Sequence, residues 1–223
     1  IFNHFQDLNL TTDQQQALER VEQFLNSEQE VFLLKGYAGT GKTTLLKGIC
    51  QYLDSRNAAF RLMAPTGRAA MILSRKTGVK ASTIHRGIFN MDELKEKEDG
   101  SSFKFSYQLK VNEDSASCVY LVDEASMISD VYSDDEFFIF GSGRLLEDLS
   151  KFAFPGEMNR KIIFIGDTAQ LPPVNMSFSP ALDSAYLGEC YQLGVQETTL
   201  TQVVRQQEGS GILNTATSLR ESL

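Results

Sequence analysis

The chain has 223 residues, 42% of them apolar and 22% charged, with a formal net charge of −8. This is ordinary globular composition for one large domain, or one domain carrying an insertion, and it excludes wholesale disorder. The acidic balance argues against a nonspecific coat on nucleic acid, and no apolar run approaches the ~18 residues of a membrane span.

The first residues, Ile1 to Asp7, show no basic patch followed by an apolar stretch, so no secretory signal is expected. Thr12 with Gln15 three residues later reads as a capping box, and Ala17, Leu18, Val21, Phe24 and Leu25 fall on one helical face. Val31–Leu34 is a continuous apolar run, the pattern of a strand buried on both faces. After the glycine-rich stretch from Gly36 to Gly41, a helical stripe follows at Leu45, Leu46, Ile49, Cys50 and Leu53. Phe60–Ala64 reads as a second strand, stopped by Pro65. Cys118–Val122 is a third and Ile162–Ile165 a fourth. Strands alternating with helices predict an α/β fold with a parallel sheet covered on both faces.

Two segments break this rhythm. Within 89–112, Asp99-Gly100 is a hairpin turn signal, and Phe103, Phe105 and Tyr107 alternate with polar residues. A small inserted hairpin is expected there, with 1–88 and 113–223 forming the main domain. Ser129 to Asn159 reads only as a loop plus a helix near Leu145–Phe152. The chain starts at Ile1 and stops at Leu223 inside a helical pattern (Ile212, Leu213, Ala216, Leu219), as a piece of a longer protein would. Cys50, Cys118 and Cys190 lie far apart, so neither a disulfide framework nor a zinc ribbon is expected, and a reducing cytoplasm fits. Only His4 and His85 could supply imidazole, which gives little support to a histidine metal site.

Charge is uneven. Ser55 to Met91 holds no Asp or Glu but does hold Arg56, Arg61, Arg68, Arg75, Lys76, Lys80 and Arg86. Such an island suits a polyanion, or simply a solvated helix face.

Gly36-Tyr-Ala38-Gly39-Thr40-Gly41-Lys42-Thr43 matches the phosphate-loop pattern between a strand and a helix. Its backbone N–H groups, continuing into Thr44 at the helix start, would cradle the phosphates of ATP. Lys42 would reach the β- and γ-phosphates, and Thr43 would ligate Mg²⁺. Val119–Val122 runs into Asp123 and Glu124. Asp123 would hold Mg²⁺ and Glu124 would orient the attacking water, which favours hydrolysis over transfer to a substrate hydroxyl. Gln170, in Gly166-Asp167-Thr-Ala-Gln170-Leu-Pro-Pro173, could report the γ-phosphate from a strand's carboxyl end. Arg205 could stabilise transition-state charge, although an arginine after an apolar run is more often a surface residue.

These blocks stand in order with Ala64–Ala70 (Ala-Pro-Thr-Gly-Arg-Ala-Ala) and Ala81–His85 (Ala-Ser-Thr-Ile-His). The ordered set resembles the superfamily 1 DNA helicases of the RecD and Dda branch, from about Leu10 to the chain end. The resemblance implies a RecA-like motor domain, the first of two, with a second domain following and an arginine there completing the ATP site. It implies that Gln14 reads the adenine edge, where composition alone would leave a surface Gln. It also implies that Pro65, Thr66, Arg68, Ser82, Thr83 and His85 contact single-stranded DNA, although His85 by itself reads as a structural histidine. The hairpin falls where relatives carry a strand-separating pin, so Phe103 or Phe105 would either stack on a base or pack the hairpin to its own domain. The implied activity is ATP-dependent translocation along single-stranded DNA with 5′-to-3′ polarity and unwinding at duplex junctions. The protein is expected to be a monomer, without membrane contact. A GTPase is disfavoured because no Asn-Lys-x-Asp element is present. The remaining rival is an ATP-binding switch or DNA-loading module without its own turnover.

Overall fold

A computed structural model describes residues 1–6, 9–99, 102–133, 138–156 and 158–204, with the backbone alone for 93–99 and 102–104. Arg205, the Phe103 side chain and the helical pattern after Ile212 therefore lie outside the described residues.

The elements in chain order are α1 (Thr12–Leu25), β1 (Val31–Gly36), α2 (Lys42–Ser55), β2 (Phe60–Ala64), α3 (Gly67–Thr77), β3 (Ala81–Thr83) and α4 (Ile84–Ile88). Then follow β4 (Phe89–Asp99), β5 (Ser102–Leu109), β6 (Val119–Val122), β7 (Phe138–Phe140), α5 (Leu145–Ala153), β8 (Lys161–Gly166), α6 (Ser184–Tyr191) and β9 (Val195–Leu200). Six strands form one sheet in the order β3-β2-β6-β8-β1-β9, and every neighbouring pair is parallel. The fold class is thus α/β with a parallel sheet flanked by helices.

Both faces of this sheet are dry, which is why its strands read as unbroken apolar runs. Phe32 and Leu34 of β1, with Ile163 and Ile165 of β8, pack on the face covered by α1, α2 and α3. Their neighbours Val31, Leu33, Ile162 and Phe164 point the other way, into a second core with Ile88, Leu149 and Leu187. The two-residue strand period sorts one run into two cores.

The N-terminus of α1 corrects the sequence reading by one residue. The cap is Thr11, not Thr12: its hydroxyl accepts from Gln14 N at 3.3 Å, while Gln14 Oε1 accepts from Thr11 N at 3.0 Å. Thr11-Thr12 and Gln14-Gln15 offer two registers of the same box, and the second tie made by Gln14, described below, favours the first.

The segment 129–159 holds a strand that the sequence reading did not anticipate. β4 and β5 pair antiparallel, and β7 joins β5 in parallel, making a separate three-stranded sheet. Aromatic rings run through its base. Tyr107 stacks on Phe140 at 4.8 Å, and Phe140 meets Phe89 at 5.5 Å and His85 at 4.9 Å. Such pairs prefer these offset and edge-on geometries. The segment leading from this sheet to β6 is held by Arg160, which is 2% exposed. Its guanidinium donates to the carbonyls of Ser115 (3.1 Å), Asp114 (2.5 Å) and Asn112 (3.4 Å). Among the described residues, no helix is long and apolar enough to cross a membrane.

Candidate functional site

Because the main sheet is wholly parallel, its carboxyl ends share one rim, where ligands of open α/β sheets bind. The loop after β1, Asp123 after β6, the 166–170 turn after β8, Pro65 after β2 and the 201–204 segment after β9 all start from it. A cavity of about 330 Å³ opens there, lined by Gln14, Gly41, Lys42, Thr43, Thr44, Asp123, Glu124 and Gln170, with Ala38, Gly39, Lys76 and Val204.

The loop from Gly36 to Lys42 is wound tightly on itself. Thr40 is fully buried, and its hydroxyl donates to Tyr37 O at 2.8 Å. Lys42 Nζ donates to Gly36 O at 2.5 Å and to Tyr37 O at 2.9 Å. The ammonium is therefore held inside the loop at the start of α2, whose N-terminal dipole favours an anion. Gly41 caps α2 with φ 86°, in the left-handed region. A Cβ there would stand 2.5 Å from Gln14 Nε2, so glycine is also needed for room.

Gln14 has a role that sequence reading missed. It is 4% exposed and donates to Thr40 O at 2.9 Å while closing the α1 capping box. It braces the phosphate loop from below. One further N–H and one further lone pair of its amide remain for another partner.

The carboxylate wall stands opposite. Glu124 has φ 54°, a conformation that costs about 1–3 kcal/mol outside glycine and persists only where the surroundings enforce it. Its N–H donates to Asp123 Oδ1 at 3.0 Å. Burial, then the charge of Glu124, pushes the Asp123 carboxyl up to about 6, against the pull of the Glu124 N–H, Lys42 and Lys76. Gln170 is oriented by Ser126, whose hydroxyl donates to its Oε1 at 2.9 Å. This turns the Gln170 amide nitrogen away from Ser126. Ser126 is fully buried, three residues after Asp123 in the same sequence block, and was not singled out as a site residue. A Cβ on Gly166 would stand 3.2 Å from Ser126 N, so this close approach is what the glycine ending β8 permits.

The raised Asp123 carboxyl carries a stability consequence. Folding takes up a proton at this group, so its favourable contribution is complete below about pH 4 and lost as pH rises through about 6. Asp123→Asn keeps the acceptor for Glu124 N but cannot ionise. Without divalent metal, the variant is expected to be more stable than the parent by about 3 kcal/mol at pH 8 and close to it near pH 4. Thermal melts at the two pH values check this; a variant destabilised at pH 8 contradicts it.

The segment after β9 returns to the loop. Asp13 Oδ2 accepts from Thr201 N (2.9 Å), Thr201 Oγ1 (2.6 Å) and Gln202 N (3.1 Å). These bonds, the Thr201 hydroxyl first, hold the Asp13 carboxyl below its usual range. Val204 N donates to Gly39 O at 3.0 Å. The chain thus reaches the phosphate loop one residue before Arg205.

The remaining candidates leave the sheet at β2 and β3. These strands are in register with Ala64 opposite Thr83, so Pro65–Thr66 and Thr83–His85 depart at one level. Thr66 and Thr83 cap helices, accepting from Ala69 N and Arg86 N at 3.2 Å each. Thr66 and Arg68 line a second cavity of about 350 Å³, which they share with Thr43, Lys76, Asp123, Glu124 and Gln170. Ser82 is partly exposed on β3. His85 is half-buried against Phe140 and Phe89, and burial lowers its pKa. Phe105 is 37% exposed and lies 6.0 Å from Phe138. Within the basic island, Arg61 ion-pairs with Asp114, and Arg56 lies over Tyr52 and donates to its hydroxyl.

The profile of the family described as "AAA domain" matches residues 9–222. The ATP-dependent RecD2 DNA helicase of Deinococcus radiodurans is 30% identical over 187 residues, which is 84% of this chain and 21% of that protein. The ATP-dependent DNA helicase dda of Enterobacteria phage T4 is 31% identical over 215 residues, 95% of this chain and 43% of that protein. The chain thus spans less than half the length of either relative. Among solved structures, the Pif1 helicase from Candida albicans superposes with a TM-score of 0.59 at 22% identity, covering 96% of this chain and 44% of that one. That likeness is one of fold.

Proposed function

Since this chain belongs to the AAA domain family, as a motor domain of the superfamily 1 helicase kind that includes RecD2, Dda and Pif1, we propose that it binds and hydrolyses ATP to drive movement along single-stranded DNA. The observation that carries this reading is the convergence of Lys42, Thr43, Asp123, Glu124 and Gln170 on one cavity at the carboxyl ends of the strands.

In this reading the α2 N-terminus and Lys42 hold the β- and γ-phosphates, and Gln14 offers its remaining donor and acceptor to the adenine edge. The donor set suits Mg²⁺: a hydroxyl (Thr43) and a carboxylate (Asp123) line the same cavity, both hard oxygen ligands, with the phosphates supplying the rest. When bound, the ion would neutralise charge developing on the phosphate oxygens. Glu124 orients a water and accepts its proton as the water oxygen bonds to the γ-phosphorus. The β–γ bridging bond breaks in the same step, and its electron pair leaves with ADP. Gln170, turned by Ser126, contacts the γ-phosphate before the step and loses that contact after phosphate departs. Arg205 adds charge from the segment that follows Val204.

The DNA strand would lie along the level at which Pro65, Thr66 and Arg68 leave β2 and Ser82, Thr83 and His85 leave β3. The β4–β5 hairpin within 89–112 acts as a pin beside it, with Phe103 or Phe105 meeting the bases. The rest of the chain, 1–88 and 113–223, is the first motor domain; a second is expected beyond it, in a cytoplasmic monomer. Melting one base-pair step costs about 1.4 kcal/mol. A pin of this kind therefore needs only to block reannealing while the motor advances.

The test is ATP turnover with and without single-stranded DNA, measured on this chain and on any longer protein that contains it. DNA-stimulated turnover in the longer form is the expected result. ATP binding with no stimulation in either form would favour a nucleotide-dependent switch.

A further inference from the structure

Five residues line both rim cavities: Thr43, Asp123, Glu124, Gln170 and Lys76. The first four have roles in the reading above. Lys76 has none, and it belongs to a different element, the last turn of α3.

Its position is fixed by the packing of that helix. Ala70, Leu73 and Thr77 are buried, which sets the rotation of α3 about its axis. Thr77 Oγ1 donates to Leu73 O at 2.8 Å and accepts from Val79 N at 3.2 Å, tying down the C-terminal turn. Ser74 Oγ accepts from Ala81 N at 2.8 Å, fastening the same turn to β3. On the rotated face, Ala69, Ile72, Leu73 and Lys76 form one stripe along the second cavity at the i, i+3, i+4, i+7 spacing. Of these four, only Lys76 also lines the nucleotide cavity. The stripe therefore ends in an ammonium that lines the nucleotide cavity with Asp123, Glu124 and Gln170, a second lysine there besides Lys42 of the phosphate loop. A compact cation on a four-carbon stem suits a phosphate oxygen whose position shifts between nucleotide states.

We propose that Lys76 is a second phosphate-binding lysine, contacting the terminal phosphate of the nucleotide from the side opposite the loop that carries Lys42. This rests on the nucleotide reading above and adds a discriminating contact: Lys42 serves the β- and γ-phosphates together, whereas Lys76 meets only the γ-phosphate. The chain thus senses the triphosphate with a cation of its own, before any residue of a second domain is added.

The experiment compares binding of AMP-PNP and ADP, each with Mg²⁺, by calorimetry on the parent chain, Lys76→Ala, Lys76→Arg and Lys42→Ala. Lys76→Ala is expected to weaken AMP-PNP about tenfold and leave ADP within about twofold, with Lys76→Arg restoring most of the loss. Lys42→Ala is expected to weaken both nucleotides. Equal affinities of Lys76→Ala and the parent for AMP-PNP would overturn the proposal. So would an equal loss for both nucleotides, which would mean that Lys76 acts on the loop or the fold. If the parent binds neither nucleotide, the nucleotide reading itself falls, and this inference with it.

Discussion

Lys42→Ala is expected to lower ATP turnover at least about a thousandfold, the loss typical of removing a cation that stabilises transferring phosphoryl oxygens. The geometry gives this variant a second signature. Lys42 Nζ bonds the carbonyls of Gly36 and Tyr37, so the side chain both holds the loop and awaits the phosphates. Its removal is therefore expected to weaken nucleotide binding as well as chemistry. The fold is expected to survive, because Thr40 Oγ1 still bonds Tyr37 O and Gln14 still braces Thr40. Steady-state turnover, nucleotide affinity and a thermal melt read the three parts separately. Undiminished turnover would remove Lys42 from the site.

Glu124→Gln is the second large effect, and it separates chemistry from binding. The substitution keeps size and backbone but removes the proton acceptor, so turnover is expected to fall about 10²–10⁴-fold while nucleotide affinity is kept. Glu124 sits at φ 54°, and glutamine inherits the same conformational cost, so the fold is expected to be kept, with a gain in stability above about pH 6 where the Glu124 charge no longer opposes Asp123. A variant that loses affinity and turnover in parallel would place Glu124 in nucleotide binding instead of water activation. With Lys42→Ala, the pair distinguishes the loop that holds the phosphates from the carboxylate that works on the water.

Much of this site was legible in the sequence because it is built from short motifs at strand ends. Once Val31–Leu34, Cys118–Val122 and Ile162–Ile165 are read as strands of one parallel sheet, their arrangement brings Lys42, Asp123 and Gln170 to one rim. The capping box was legible too, but its register was not. Thr11-Thr12 and Gln14-Gln15 are degenerate, and the tie that separates them, Gln14 to Thr40, spans 26 residues. Ser126 and Lys76 escaped for a related reason. Each is brought to the site by packing between separate elements, Ser126 against Gln170 and α3 alongside the nucleotide cavity, and spacing along the chain does not carry that information. The strand at Phe138–Phe140 escaped because three residues are too few to show a period, and its pairing with β5 spans an intervening strand of the main sheet. The basic island was legible as composition, but composition did not show that Arg61 pairs with Asp114 and Arg56 with Tyr52.

We propose that a single cleft at the carboxyl ends of the parallel strands holds Mg·ATP between the loop of Lys42 and the wall of Asp123 and Glu124. A crystal structure of the chain with Mg²⁺ and ADP–aluminium fluoride tests it most directly. The expected result places the fluoride group between Lys42 Nζ and the Gln170 amide, with the metal on Thr43 Oγ1 and on the Asp123 carboxylate, directly or through one water. A nucleotide bound outside this cavity, or a metal remote from both Thr43 and Asp123, would contradict the account.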